Sequence, residues 1–126
     1  MLRFAGMLLF LVWLACVGCS VGSRAEELAV RPLEDVAAEA DKMTVTGLEH
    51  RAQLYRDAVH REQDRLARLR DALSKLSNDE KQGPKGRTLA DRMIAVGRIQ
   101  SRLIERHQVY IDRLHSKGIS TEAYKL

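Results

Sequence analysis

Apolar residues recur at alternating spacings of four and three positions in two long stretches of the chain. The first stretch has nine such positions, and eight of them are apolar: Leu48, Ala52, Tyr55, Val59, Glu62, Leu66, Leu69, Leu73 and Leu76. The second has eight positions: Leu89, Met93, Val96, Gln100, Leu103, His107, Tyr110 and Leu114. This spacing puts each series on one face of an α-helix and is typical of coiled coils. The pattern predicts two long amphipathic helices, over residues 46–77 and 88–117.

Capping and turn-forming residues mark the ends of these helices. Thr46 with Glu49 three residues later forms a capping box, and Thr88 gives a second start signal. Residues 78–87 include two glycines and a proline. Because these residues interrupt a helix, this stretch is predicted to be the turn between the two helices.

Folding the chain back at this turn brings the two apolar series into register. Residues whose numbers sum to about 165 then lie opposite one another, as in an antiparallel helical hairpin. Tyr55 faces Tyr110 in this register, and Arg51 opposite Arg113 is the one like-charge pair. Each helix of the hairpin is on the order of 45 Å long, at 1.5 Å per residue.

Shorter elements flank the predicted hairpin. Pro32 followed by Glu34 and Asp35 is a favourable helix start, which predicts a short helix over residues 32–43. Residues 19–31 are predicted to be a tether between the N-terminal segment and the helical domain. That domain spans residues 32–118.

The C-terminal end of the second helix has a recognisable cap. Lys117 supplies a basic last turn, Gly118 suits the left-handed position, and Ile119 is the apolar residue that commonly follows. Residues 119–126 are predicted to be a C-terminal tail.

A second apolar stripe lies beside the first on the second long helix. Its members are Ala90, Ile94, Gly97, Ser101, Ile104 and Ile111. Two helices bury too little apolar surface, so this stripe needs a cover: the short helix 32–43 or a second copy of the chain. The fold predicted is all-α, a long coiled-coil-like antiparallel hairpin with a short N-terminal helix. A three-helix monomer and a dimeric four-helix bundle both satisfy the pattern.

Three polar residues interrupt the seam between the long helices: Glu62, Gln100 and His107. Buried polar groups need partners, so we interpret them as a polar layer that fixes the register. The alternative is a buried site for a proton or a metal. The four histidines lack the spacing of a zinc site, so no metal and no cofactor are predicted.

Charge and motifs narrow the function classes. The chain has 21 basic and 17 acidic residues, interleaved as on solvated helical faces. There is no Gly-rich phosphate loop and no nucleophile motif. We therefore predict a protein that is not an enzyme, with no nucleic-acid partner and no small-molecule substrate.

The N-terminus carries the longest apolar run. Arg3 precedes it, and the 16 residues from there to Ser20 are uncharged, fewer than the ~20 of a spanning helix. The segment Cys16-Val17-Gly18-Cys19 resembles the lipobox of bacterial lipoproteins. Cys16 departs from that pattern, which usually has Leu, Val or Ile there.

The lipobox resemblance implies a processed and anchored protein. Residues 1–18 would be a signal peptide, and Cys19 would carry the lipid, including palmitate-type acyl chains. Ser20 after that cysteine implies sorting to the outer membrane, with the chain facing the periplasm of the cell envelope. An uncleaved anchor or an ordinary secretory signal would fit the same apolar run.

The overall layout resembles small helical lipoproteins of bacterial envelopes. That group includes pilotins and accessory lipoproteins, so the implied function is a non-catalytic adaptor or structural component of an envelope assembly. The partners implied are the membrane, through the lipid, and an envelope protein or a second copy.

Two other groups share parts of the pattern. Periplasmic stress chaperones and metal sensors are basic helical hairpins with a Leu-Thr-x-x-Gln signature, which Leu76-Ser77-Asn78-Asp79-Glu80 and Ile119-Ser120-Thr121-Glu122-Ala123 resemble in degenerate form. Signal-anchored coiled coils of the spanin type, which serve phage lysis, are the other group.

Overall fold

The structure, a computed structural model, describes residues 20–126, with side chains from residue 24 onward. The predicted signal peptide, the lipobox and Cys19 lie outside the described residues. Residues 20–126 form helices and no β-strand, which confirms the all-α prediction. The elements are α1 (Ser20–Val30), α2 (Leu33–Lys42), α3 (Val45–Ser74), α4 (Asn78–Gln82), α5 (Pro84–Ser116) and a 3-10 turn (Glu122–Tyr124).

The segment after Cys19 differs from its prediction as a tether. Residues 20–30 form α1, and this helix packs against α5. Leu28 and Ala29 are buried, and Ala25 packs against the same core. Because these residues are three and four positions apart, they share one apolar face, and burying that face keeps the segment helical.

The start of α3 also differs in detail. Thr44, not Thr46, is the N-cap, and its hydroxyl accepts a hydrogen bond from the backbone N–H of Gly47 at 3.2 Å. The helix therefore begins at Val45, and Thr46 lies inside its first turn. α3 ends at Ser74, slightly earlier than predicted.

The predicted turn over residues 78–87 contains more helix than expected. Ser77 caps the short α4 by accepting from the backbone N–H of Glu80 at 3.2 Å. Pro84 then occupies the first turn of α5, where its missing N–H costs nothing. Gly86 lies so close to α4 that a Cβ atom there would overlap the carbonyl group of Lys81.

The C-terminal cap of α5 agrees with its prediction. Gly118 has a φ of 72°, and its N–H donates to the carbonyl of His115 at 2.9 Å. The N–H of Ile119 donates to the carbonyl of Leu114 at 3.0 Å, which completes a Schellman motif.

The predicted C-terminal tail is fastened to α3. The Tyr124 hydroxyl donates to Glu49 Oε2 at 2.6 Å, and Arg56 Nε donates to the carbonyl of Lys125 at 3.0 Å. Both bonds join residues about 70 positions apart in sequence, so no local pattern predicts them.

The core lies at one end of the α3–α5 pair. α1, α2 and the C-terminal turn all add to the two long helices there. The rings of Tyr55 and Tyr110 lie 5.4 Å apart between centroids, as the sequence register predicts. We call residues 24–62 and 103–124 the core end, and residues 63–102 the arm. Within the arm, only Gly86 and Val96 are buried.

Candidate functional site

The second apolar stripe of α5 is divided between the two regions. Ile111 is buried in the core end with 8% of its surface exposed. The other five members are open to solvent to different degrees: Ile94 is 55% exposed, Ile104 is 38% exposed, Ala90 and Ser101 are exposed, and Gly97 is half-buried. From here on, the open stripe means Ala90, Ile94, Gly97, Ser101 and Ile104.

Of the two covers that the sequence allows, the short N-terminal helix does not cover the open stripe. α1 and α2 pack near a different face of α5, the face that carries Arg106. Arg106 Nε and Nη2 donate to the carbonyl of Arg31 at 2.9 and 2.7 Å. At 3.6 residues per helical turn, Arg106 lies on the opposite side of α5 from Gly97 and Ile104. The stripe therefore has no cover within residues 24–126.

Charge separates the arm from the rest of the chain. The arm has ten basic and five acidic residues, whereas residues 20–62 and 103–126 together have ten basic and twelve acidic residues. The open stripe therefore lies in an arginine-rich region. Arg87, Arg98 and Arg102 fall on one edge of the stripe, together with Asp91 and Glu105. Such a surface is suited to binding another helix with an apolar face and complementary charge.

The predicted polar layer is buried but not joined by hydrogen bonds. Glu62 is 6% exposed and His107 is 3% exposed, while Gln100 is half-buried. Glu62 Oε2 and both ring nitrogens of His107 lack hydrogen-bond partners among the described residues. The nearest cation to Glu62 is Arg65, at 3.8 Å from Nη1 to Oε2.

Burial shifts the titration of both residues toward the neutral form. Desolvation raises the pKa of Glu62, and the positive charge of Arg65 only partly opposes this. Desolvation lowers the pKa of His107, and the polar backbone of Tyr124 nearby only partly opposes this. The three residues of the layer do not share the hydrogen bonds on which the predicted register-fixing role relies.

A cluster of arginines and tyrosines at the core end was not predicted as a unit. Glu39 of α2 accepts hydrogen bonds from Arg31 and from Arg51, the latter at 3.2 Å. Hydrogen bonding to Arg31 holds the pKa of the Glu39 carboxyl below its ordinary value. Arg113 Nε donates to Asp41 Oδ1 at 2.6 Å. Arg51 and Arg113 are the predicted like-charge pair, and α2 supplies a carboxylate to each of them.

The hydroxyl groups of Tyr55 and Tyr110 belong to the same region. Both side chains are 0% exposed, and neither hydroxyl has a hydrogen-bond partner among the described residues. Burial raises the pKa of Tyr110 to about 12 and raises that of Tyr55, the latter against the charges of Arg31, Arg51 and Arg106. The two tyrosines therefore stay neutral at physiological pH.

The histidines lie in different environments. His50 and His115 are exposed, His60 is half-buried, and His115 Nε2 lies 2.7 Å from the Thr121 hydroxyl. Within residues 20–126, no group of three or more His, Cys, Asp or Glu side chains could hold a metal ion. Over the same residues, no helix has both the length and the apolar character needed to cross a membrane.

No protein-family model, curated protein or solved structure matches this chain.

Proposed function

We propose that this protein is a lipid-anchored helical component of the bacterial cell envelope, held at the outer membrane by Cys19 and facing the periplasm. It acts as a non-catalytic adaptor or structural component. The single observation that carries this proposal is the arm, which presents an open apolar stripe and an excess of arginine beside a well-packed core end.

The position of α1 favours an anchor that is joined closely to the folded domain. α1 begins at Ser20, the residue after the lipidated cysteine in this proposal, and it is packed into the core by Leu28 and Ala29. Eight residues of helix, about 12 Å at 1.5 Å per residue, separate Ser20 from Leu28. The lipid thus holds the core end near the membrane surface, without a long flexible linker between them.

The arm would do the binding. In this proposal α3 and α5 form an antiparallel, coiled-coil-like hairpin, which the contact between the rings of Tyr55 and Tyr110 supports. α1, α2 and the C-terminal turn cover the hairpin at the core end. A partner helix or a second copy that docks on the arm would bury Ile94 and Ile104 and place its own acidic side chains near the arginines.

Intact mass tests the anchor. The full chain is expressed in a Gram-negative host, alongside a Cys19→Ala variant. The expected mass is that of residues 19–126 plus acyl chains, and the variant should lose this form. An unprocessed full-length mass would overturn the lipid anchor and favour the signal-anchored coiled coil.

Site-specific photocrosslinking tests the arm as a binding surface. A photoreactive residue replaces Ala90, which is exposed in the open stripe, or Ala38, which is exposed in α2 at the core end. The adaptor proposal expects one or a few defined products from Ala90 and far fewer from Ala38. Many different products from Ala90, increased by heat stress, would instead favour the chaperone alternative.

A further inference from the structure

The open stripe of α5 has a size pattern as well as an apolar character. From Ala90 to Ile104 it covers about 21 Å of helix, at 1.5 Å per residue. It combines three small residues with two isoleucines, and Gly97 lies at its midpoint. A Cβ atom placed on Gly97 would meet no described atom within 4 Å, so α5 is open to close approach at this point.

We propose that the occupant of the open stripe is the same stripe of a second copy, packed antiparallel about a two-fold axis at Gly97. This deepens the proposed function by naming the partner of one face of the arm. In a two-fold interface each contact occurs twice, so positions whose numbers sum to about 194 lie opposite one another.

That register pairs small residues with large ones. Ala90 lies opposite Ile104 of the second copy, and Ile94 lies opposite Ser101 of the second copy. The two Gly97 residues meet on the axis, where the lack of side chains lets the helices approach closely. Large side chains therefore enter gaps beside small ones, as in knobs-into-holes packing.

The same register places opposite charges along one edge of the stripe. Residues on one edge of an antiparallel helix pair meet the same edge of the second helix. Arg87 then lies near Glu105 of the second copy, and Asp91 lies near Arg102 of the second copy. Each pair occurs twice, which gives four complementary contacts.

One residue opposes this arrangement. Arg98 lies beside the axis on the charged edge, so it approaches its own equivalent in the second copy. This like-charge contact and the short length of the stripe make the interface weak in dilute solution. Confinement to a membrane raises the effective concentration of the two copies, and in this respect the inference rests on the proposed lipid anchor.

Cysteine crosslinking of the full chain in host membranes tests the axis. Gly97→Cys should give a disulfide-linked dimer on mild oxidation, because its two copies meet. Ala95→Cys is the matched control, since Ala95 is exposed on another face of the same helix. Equal dimer yields at the two positions, or crosslinks from Gly97→Cys to a different envelope protein, would overturn the second copy as the occupant.

Charge exchange tests the register. Asp91→Arg and Arg102→Asp should each lower the Gly97→Cys dimer yield severalfold. The double variant Asp91→Arg/Arg102→Asp should restore it, because the pair is re-formed with reversed signs. Arg98→Gln should raise the yield. Failure of the double variant to recover would show that the two residues do not face each other.

The parent chain, which has no introduced cysteine, distinguishes failure of the proposed dimer from failure of the proposed anchor. Lipidation consumes the Cys19 thiol, so the parent chain should not crosslink. If it does, the anchor is overturned, and the dimer is decided by the same position series in the Cys16→Ser/Cys19→Ser chain, which has no other thiol. In that series a high yield at Gly97→Cys supports the dimer, and yields equal to Ala95→Cys overturn it.

Discussion

The core end and the arm are built from the same two long helices, yet they differ in almost every physical property. At the core end the seam residues Leu48, Tyr55 and Val59 of α3 are fully buried. In the arm the equivalent residues Leu66 and Leu69 are only half-buried. α1, α2 and the C-terminal turn supply a second layer at the core end, and Ile99, near the boundary of the arm, packs against the same core.

This difference teaches that a heptad pattern specifies which faces of two helices meet, but not how deeply they are buried. Two helices in contact shield each other on one side only. Further elements must cover the rest of each apolar stripe before its residues leave water. The arm is the part of the molecule where this cover is absent from the described chain.

Truncating one leucine in each region tests the comparison most strongly. Leu48→Ala should lower the free energy of unfolding by about 2–5 kcal/mol, because Leu48 is fully buried and its removal leaves a cavity. Leu69→Ala should cost about 1 kcal/mol, since its side chain is already partly hydrated. Urea unfolding of both variants measures the difference. Equal losses would mean that the arm has a cover in solution.

Gly86→Ala should disturb the arm without disturbing the core end. The new Cβ would overlap backbone atoms of Lys81, so the α4–α5 junction must open, at a cost of about 2 kcal/mol. Amide hydrogen exchange should accelerate in α4 and the first turns of α5. The Tyr55–Tyr110 region should keep its protection, and a loss of protection there would show that the two regions unfold together.

Glu62 lies at the boundary between the two regions, and the effect of Glu62→Gln on the free energy of unfolding should depend on pH. Burial raises the pKa of Glu62, so the native state binds its proton more tightly than the unfolded chain does. Ionising the acid as pH rises therefore costs stability. Glu62→Gln should raise the free energy of unfolding by about 1–2 kcal/mol at neutral pH, and the gain should disappear below the ordinary pKa near 4.5.

The control for that measurement is Glu34→Gln, because Glu34 is exposed in the first turn of α2. Its effect should be small and unfavourable, since a negative charge at this position stabilises the helix. A pH-independent gain in Glu62→Gln would mean that packing, not ionisation, causes the effect.

Asp41→Asn should produce the smallest change. The Arg113–Asp41 ion pair joins α2 to α5, but the Asp41 side chain is 60% exposed. Water screens the pair, so we expect a loss of less than about 1 kcal/mol that shrinks further in high salt. Thermal unfolding at low and high salt measures it. A larger loss would indicate that α2 is held mainly by charge.

The sequence predicts much of the fold because the heptad pattern and the helix caps are local signals. The two long helices, the Tyr55–Tyr110 contact and the Schellman motif at Gly118 all follow from residues close together in sequence or from a constant register. The capping box at Thr46 is wrong because Thr44, two residues earlier, provides an equivalent hydroxyl.

The missed features depend on contacts between distant residues. α1 has only a short apolar face, formed by Ala25, Leu28 and Ala29, and is held by its contact with α5. Arg106 lies at a flanking position of the heptad, and nothing in its neighbours indicates that it binds the carbonyl of Arg31, 75 residues away. For the candidate site, sequence alone indicates the apolar stripe, but only the structure tells which of its members stay open.

The separation of charge gives the molecule an orientation in an electric field. Residues 20–62 and 103–126 carry a net charge of −2, and the arm carries +5. The chain is therefore a dipole whose positive pole is the arm. Next to an anionic surface this dipole experiences a torque that turns the arm toward the surface, and the torque fades beyond the Debye length of about 8 Å. In a chain held at its N-terminus, the arm would thus lie against the surface at low salt and change its orientation more freely at high salt.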